Sequence, residues 1–327
     1  MLHASARAFM VAVAVVSLPP ALLSGQSRVA PAAPSTAAAG ASWTPTLTAE
    51  GQPDLQGFWV INTVTPVERP AELAGKEFFT EQEALEWERT YFERRWRASK
   101  EAATSPEVTP TWNVPGKTVP TRRTSLVVDP RDGRIPLTAE GRRRGSVPAS
   151  FDDPDGLDLS DRCIMWAEGP PMLPSGVNAN FQIVQAPGYV VIVHEMIHHA
   201  RIIPLDNRPH LTSRVQQWGG DSRGRWDDNT LIVETTNFTD RTRFRGSTAA
   251  LRVIERFRRI DGDTIWYSFT VEDPIAFERP WTAEMAIVRS EPIFEYACHE
   301  GNYSMMNMLT GARAQENPGG AGSIPRN

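Results

Sequence analysis

The chain has 327 residues, and 34 Lys and Arg stand against 39 Asp and Glu, for a formal net charge of −5. Its basic clusters are mostly interleaved with acidic residues and are typical of solvated surfaces, so this balance argues against a nucleic-acid-binding protein. After the N-terminal region no apolar run is long enough to cross a bilayer, so we expect no membrane span in the mature chain.

The N-terminal region has the pattern of a secretory signal peptide. Arg7 is followed by an apolar stretch from Phe9 to Leu23 and then by small residues. This order predicts a signal peptide over residues 1–25 and a secreted or periplasmic location. The Ala- and Pro-rich residues 26–44 predict a disordered leader, and the Gly- and Pro-rich residues 317–327 predict a disordered tail.

Residues 45–316 are predicted to form a single β-rich domain. Thr80 and Glu83 have the spacing of a capping box, which predicts one accessory helix over about residues 81–99. In the second half, apolar and β-branched segments alternate with short turns. The predicted segments are Phe181–Gln185, Tyr189–Ile203, Thr230–Thr236, Leu251–Ile260, Thr264–Glu272, Thr282–Val288 and Ile293–Ala297.

These closely spaced segments predict an antiparallel meander. Because closure removes exposed strand edges, we expect the meander to form a barrel or a strongly curved sheet, lipocalin-like in architecture. Cys163 and Cys298 would meet an oxidising environment after export, which predicts a disulfide. Two free buried thiols are the alternative, since the sequence does not show that the pair is close enough to bond.

Residues 194–198, His-Glu-Met-Ile-His, have the spacing of a zinc-peptidase motif. That chemistry needs a helix, on which residues four apart share one face. The flanking residues are strand-forming, and on a strand the two imidazoles lie roughly 13 Å apart. We therefore interpret the motif as a chance match inside one long strand. A metal-dependent hydrolase that uses His194, Glu195 and His198 is kept as an alternative.

Two further residue patterns are typical of catalytic sites. His198, His210 and His299, with Glu195 or Glu300, are a possible metal set from separate strands, but no spacing demands it. Residues 220–224, Gly-Asp-Ser-Arg-Gly, match the nucleophile elbow of α/β-hydrolases, which must join a strand to a helix. A strand follows here, so a polar turn between strands is the better interpretation.

A histidine beside a carboxylate, with an arginine for a substrate anion, is suited to acid/base chemistry. The candidate catalytic residues are His198 and His299 as general base, Glu195, Glu272 and Glu300 as its partner, and Arg201 as the anion holder. The candidate substrate-binding residues are Trp218, Asn302 and Tyr303. We expect no metal and no cofactor.

Three sequence blocks carry a resemblance to a known family. Residues 195–206, 220–226 and 295–303 contain Glu-Met-Ile-His with Arg-Ile-Ile-Pro-Leu-Asp, Gly-Asp-Ser-Arg-Gly-Arg-Trp, and Glu-Tyr-Ala-Cys-His-Glu-Gly-Asn-Tyr. Together they resemble a family of secreted bacterial proteins of unknown function, and the likeness runs from Pro53 to Arg313. The resemblance implies export and one shared fold, and it implies no activity.

The functional expectation is an enzyme of lyase, isomerase or hydratase type that acts on a small organic molecule without a metal. The alternative is a non-catalytic barrel that binds an apolar or aromatic small molecule. An enzyme requires a histidine and a carboxylate within hydrogen-bond reach in an open pocket. That geometry separates the two hypotheses.

Overall fold

The computed structural model describes residues 43–61, 63–102, 121–147, 150–166, 169–175 and 179–316. The predicted signal peptide, nearly all of the predicted leader and the predicted tail lie outside the described residues. Among the described residues, no helix is both long enough and apolar enough to cross a membrane.

Ten strands and three helices are present in these described ranges. The strands are β1 (Gly57–Val60), β2 (Val127–Asp129), β3 (Asn180–Ala186), β4 (Tyr189–His194), β5 (Ala200–Pro204), β6 (Asp221–Asp227), β7 (Thr230–Thr236), β8 (Arg252–Arg259), β9 (Thr264–Glu272) and β10 (Trp281–Arg289). The helices are α1 (Glu81–Ala102), α2 (Ala139–Gly145) and α3 (Tyr303–Glu316).

The strands form one antiparallel sheet in the order β5-β4-β3-β1-β10-β9-β8-β7-β6, and β2 adds a short pairing to β10. This confirms the expected barrel-like β architecture: the sheet is nearly closed, with one unsealed seam between β5 and β6. Because neighbours along this path alternate in direction, the two end strands run the same way. The seam therefore joins two parallel strands.

Gly224 on β6 allows the two strands to approach at the seam. A Cβ atom at Gly224 would lie 2.6 Å from Leu205 Cδ2 and 2.8 Å from Ile203 Cγ2. Ile203 lies in β5 and Leu205 directly follows it. Their side chains occupy the space that a residue larger than glycine would need. Side-chain packing thus holds the seam where backbone pairing is missing.

Alternation of apolar and polar residues builds the walls of the barrel. In β9, Ile265, Tyr267 and Phe269 are fully buried while the residues between them are partly exposed. The ring of Tyr267 packs 4.9 Å from that of Phe257, and Phe269 packs 5.6 Å from Trp281. These rings fill the interior, so the cavities described below lie outside this core.

The prediction of one long strand over Tyr189–Ile203 is wrong. The segment is a hairpin of β4 and β5, closed by a hydrogen bond from the His194 N–H to the His199 carbonyl at 2.9 Å. Its turn has positive φ at Ile197 (61°) and His198 (42°), which is uncommon for residues other than glycine. The turn contains no Gly, Pro or Asn, the residues that usually mark a turn, so the sequence did not predict it.

Other boundary predictions also need correction. The predicted polar turn at residues 220–224 is largely strand, because Asp221 begins β6 and pairs with Thr236 on β7. The predicted strand over Ile293–Ala297 is irregular chain. The expected accessory helix is present as α1, and α2 and α3 were not predicted.

The predicted disulfide is present and joins the C-terminal segment to the loop at Cys163, beside the hairpin turn. Cys163 and Cys298 are bonded, with their Cα atoms 5.8 Å apart. Around the bridge, Met196 and Ile197 of the turn pack with Tyr296. The first and third sequence blocks that carry the family resemblance therefore meet in space.

Candidate functional site

The hairpin turn holds two of the predicted catalytic residues in different environments. The side chain of Glu195 is buried, and its Oε2 accepts a hydrogen bond from the Phe294 N–H at 3.1 Å. His198 is exposed at the tip of the turn. Glu195 thus helps to anchor the C-terminal segment, and His198 faces solvent.

Arg201, the predicted anion holder, lies in the barrel interior. Its guanidinium makes a two-point ion pair with Glu255 on β8, with one N–O distance of 3.1 Å. The Tyr267 hydroxyl donates to the same carboxylate at 2.7 Å and accepts from the Met172 N–H at 2.9 Å. Only 3% of the Arg201 side chain is exposed, so it serves the core and does not face a substrate.

The predicted residues after Cys298 lie at the surface. His299 and Glu300 are exposed in the turn that precedes α3. Asn302 Nδ2 donates to the Asp161 carbonyl at 2.7 Å, which supports the loop around the disulfide. The side chain of Tyr303 is exposed at the start of α3.

The remaining candidates lie near cavities. Glu272 accepts a hydrogen bond from Arg252 at 2.7 Å on the outer face of the sheet. Trp218 lines a separate cavity, and the guanidiniums of Arg162 and Arg241 lie over its ring, 5.6 Å and 5.3 Å from the centroid.

The zinc-like motif has no zinc-site geometry. His194 is buried on the inner face of β4, whereas His198 is exposed on the turn. In the part of the chain that the structure describes, no three His, Cys, Asp or Glu side chains form a group that could hold a metal ion. The predicted alternative set of His198, His210 and His299 is therefore not assembled.

The elbow-like motif also has a structural explanation. The Ser222 hydroxyl is buried and lies 2.9 Å from the Thr235 hydroxyl on the neighbouring strand. Gly220 has φ of +69°, and a Cβ atom there would lie 2.7 Å from the Thr236 carbonyl oxygen. Gly220 thus serves the turn before β6, and Gly224 serves the seam. The Ser222 side chain pairs with Thr235 on the neighbouring strand.

A cavity of about 280 Å³ lies on the outer face of β6, β7 and β8 and brings together a histidine, a glutamate and several arginines. We call it the arginine pocket. The loop after β5 forms one wall and the outward side chains of three strands form its floor. The charged and polar lining residues are Asn207, Arg208, His210, Arg223, Arg225, Glu234, Arg252 and Arg256.

His210, which lines this pocket, forms a dyad with the buried side chain of Asp221 behind it. His210 Nδ1 lies 2.9 Å from Asp221 Oδ2, and the Leu211 N–H donates to the same oxygen at 3.0 Å. Arg223 donates to the other carboxylate oxygen at 2.6 Å. Because an ionised carboxylate only accepts, the proton of a neutral imidazole is on Nδ1 and Nε2 is the basic nitrogen.

Two arginines of the pocket lack an ion-pair partner among the described residues. Arg225 and Arg256 flank Ile232 in the register of the three strands. Burial, with Arg225 nearby, lowers the pKa of Arg256. Two cations on one side of a cleft favour the entry of an anion.

A chain of ion pairs borders the pocket and includes a predicted residue. Glu234 accepts two hydrogen bonds from Arg252, at 3.1 Å and 2.9 Å, and these hold the pKa of Glu234 below its usual value. Arg252 also binds Glu272. Glu234 Oε1 lies 3.8 Å from His210 Nε2, so a second carboxylate approaches the basic nitrogen.

Sequence reasoning missed this site. The sequence suggested His210 only as a metal-ligand candidate. It included Asp221 only as part of the elbow-like motif. The loop after β5 returns along the outer face of β6, and this return places the two residues together. No periodicity or motif signals such a return, because the loop is irregular.

Comparisons of the chain with protein-family models, with curated proteins and with solved structures give no match.

Proposed function

We propose that this protein acts on a small organic anion by acid/base chemistry in the arginine pocket. The observation that carries the proposal is the His210–Asp221 dyad, in which a histidine of an open pocket lies within hydrogen-bond reach of a carboxylate. In this proposal His210 is the general base in place of His198. Arg225 and Arg256 hold the substrate anion in place of Arg201.

The proposed step is the removal of a proton from the carbon beside a carboxylate. His210 Nε2 accepts the proton, and the electron pair delocalises into the carboxylate. The positive charges of Arg225 and Arg256 stabilise the added negative charge, and Asp221 stabilises the imidazolium. Return of the proton, or loss of a group from the next carbon, completes an isomerase-type or lyase-type reaction without a metal.

Binding without chemistry is the second candidate, and the position of Glu234 favours it. Its Oε1 lies 3.8 Å from Nε2 and would form an ion pair with a protonated His210. In that form both imidazole nitrogens carry protons, so His210 cannot accept a proton from a substrate and the pocket only binds the anion.

Export is part of the proposal. The apolar stretch Phe9–Leu23 behind Arg7 supports a signal peptide, and the Cys163–Cys298 bridge is compatible with an oxidising compartment. We also propose, from its three sequence blocks alone, that the chain belongs to the secreted bacterial family that these blocks resemble.

Hydrogen–deuterium exchange tests the chemical step without a known substrate. The protein is incubated in D₂O with a panel of hydroxy, keto and unsaturated carboxylic acids, and ¹H NMR follows the signal of the carbon-bound proton beside the carboxylate. We expect catalysed exchange of at least one acid, reduced about 100-fold or more in His210→Gln. His198→Gln and His299→Gln are matched controls that should exchange at the wild-type rate.

The result also separates the two candidates. Acid binding that depends on His210 without any exchange would favour the binding role. Exchange that survives in His210→Gln but is lost in His198→Gln would place the site at the hairpin turn and contradict the proposal.

A further inference from the structure

Two adjoining cavities lie beside Trp218, away from the arginine pocket. One has a volume of about 430 Å³ and the other about 350 Å³, and Asp158, Leu159 and Thr242 line both. Neither shares a lining residue with the arginine pocket. Volumes of this size are typical of small-molecule sites. We call the pair the Trp218 cleft.

The two halves of the cleft differ in chemistry. The larger half is lined by four arginines and two aspartates, and the smaller by Met165, Trp166, Leu173 and Phe244. Within the larger half, Arg162 and Arg241 both pair with one carboxylate, Asp155, at 2.9 Å and 2.6 Å. The cleft thus joins a cationic end to an apolar, aromatic end.

A strained turn connects these ends. Arg243 and Arg245 have φ of 50° and 51°, the left-handed region that non-glycine residues rarely adopt. Arg243 lines the cationic half, and its neighbour Phe244 lines the apolar half. Strain of this kind persists where surrounding structure enforces it, and it clusters at ligand sites.

Helix α2 holds the turn from behind. A Cβ atom on Gly246 would lie 2.1 Å from the Gly141 carbonyl oxygen, so α2 and the turn touch backbone to backbone. Arg144 of α2 donates to the Gly246 and Ser247 carbonyls, both at 3.2 Å. The turn is therefore fixed without a ligand.

The opposite wall is also fixed. Arg162 precedes Cys163 of the disulfide, and the Asn302 side chain donates to the Asp161 carbonyl at 2.7 Å. The Trp166 indole N–H donates to the Ser175 hydroxyl at 2.9 Å. A cleft with rigid walls loses little entropy on binding a rigid ligand.

We infer that the Trp218 cleft is a second binding site, and that it takes an aromatic carboxylate of one or two rings. The ring would lie in the apolar half between Trp166 and Phe244, and the carboxylate would meet Arg243. Arg243 has no ion-pair partner in the described chain, whereas Arg162 and Arg241 already share Asp155. The site is independent of the chemistry proposed for His210.

Calorimetric titration with 2-naphthoate tests the inference on the full mature protein. We expect saturable 1:1 binding that weakens at least about tenfold in Arg243→Gln, because a charge-assisted hydrogen bond is lost. Phe244→Ala should weaken it as well, with circular dichroism confirming that each variant folds. The neutral 2-naphthylmethanol should bind more weakly than naphthoate and should not respond to Arg243→Gln.

The matched control is Arg256→Gln in the arginine pocket, which should leave naphthoate affinity unchanged. Absence of saturable binding, or an unchanged affinity in Arg243→Gln, would overturn the assignment. Loss of binding in Arg256→Gln alone would move the anion to the arginine pocket and also overturn it. Tighter binding of decanoate than of naphthoate would exclude an aromatic ligand.

Discussion

Arg201 on β5 and Glu255 on β8 form an ion pair inside the barrel, with side chains only 3% and 0% exposed. The pair joins the end strand β5 to β8, the third strand beyond the seam, and the Tyr267 hydroxyl donates a further hydrogen bond to Glu255. Burial of both charges is costly, but each compensates the other. The pair therefore helps to fix which side of β5 faces the core.

Removal of one partner should destabilise the fold strongly. We expect Glu255→Gln to lower the free energy of unfolding by about 3–5 kcal/mol, since it leaves the Arg201 charge uncompensated in the core. Urea denaturation measures this change. Asp129→Asn, which breaks the exposed pair with Arg279, is the control and should cost less than about 1 kcal/mol. Similar losses in both variants would contradict the role given to the buried pair.

The seam should be sensitive to one methyl group. Gly224→Ala places a Cβ atom within 2.8 Å of carbons of both Leu205 and Ile203. We expect a loss of about 1–3 kcal/mol, measured by thermal and chemical unfolding. Gly262→Ala is the matched control, because a Cβ atom there meets nothing within 4 Å. An equal effect at both positions would mean that β5 and β6 are not packed together at the seam.

The disulfide should stabilise the chain and order its C-terminal segment. The bridge spans 135 residues of sequence, and a loop of that length contributes on the order of 4–5 kcal/mol in the chain-entropy model. We expect the Cys163→Ser/Cys298→Ser variant to lose stability and to exchange amide hydrogens faster over residues 290–302. Unchanged exchange there would show that Glu195 and the packing of Tyr296 hold the segment without the bridge.

The barrel strands could be predicted where burial of one strand face in the core also produces alternation in the sequence. Thr264–Glu272 alternates because one face of β9 packs in the core, and its predicted bounds match the strand. The β4–β5 hairpin was missed because apolar residues continue through its turn, which tertiary packing holds at Ile197 with positive φ. Strand β6 was missed because its sequence is polar, and it forms by pairing with β7.

The candidate site was less predictable for a related reason. The arrangement expected from the sequence, a histidine beside a carboxylate with arginines nearby, is found at other residues. His198 and His299 lie in motifs, yet the structure exposes both. His210 and Asp221 meet because the loop after β5 returns along β6, and such a return depends on tertiary contacts.

Acid should destabilise the barrel through the buried His194 and the partly buried His199. Burial, together with the positive charge of Arg201, lowers the pKa of His199 from 6.5 to about 4. Burial, together with His199 and Arg201, also holds the pKa of His194 well below its usual value, and neither His194 ring nitrogen has a hydrogen-bond partner among the described residues. The folded state therefore resists protonation of both imidazoles.

Both histidines have a lower pKa in the folded state than in the unfolded chain. Between pH 6.5 and about 4, the unfolded chain binds protons that folded His199 and His194 do not. As the pH is lowered through this window, the free energy of unfolding should therefore fall, by up to about 1.4 kcal/mol per pH unit for each histidine. His194→Phe, which keeps a ring beside Phe181, should reduce that slope in urea denaturation at stepped pH, and His299→Gln should keep it. An unchanged slope in His194→Phe would mean that the buried imidazole does not drive acid unfolding.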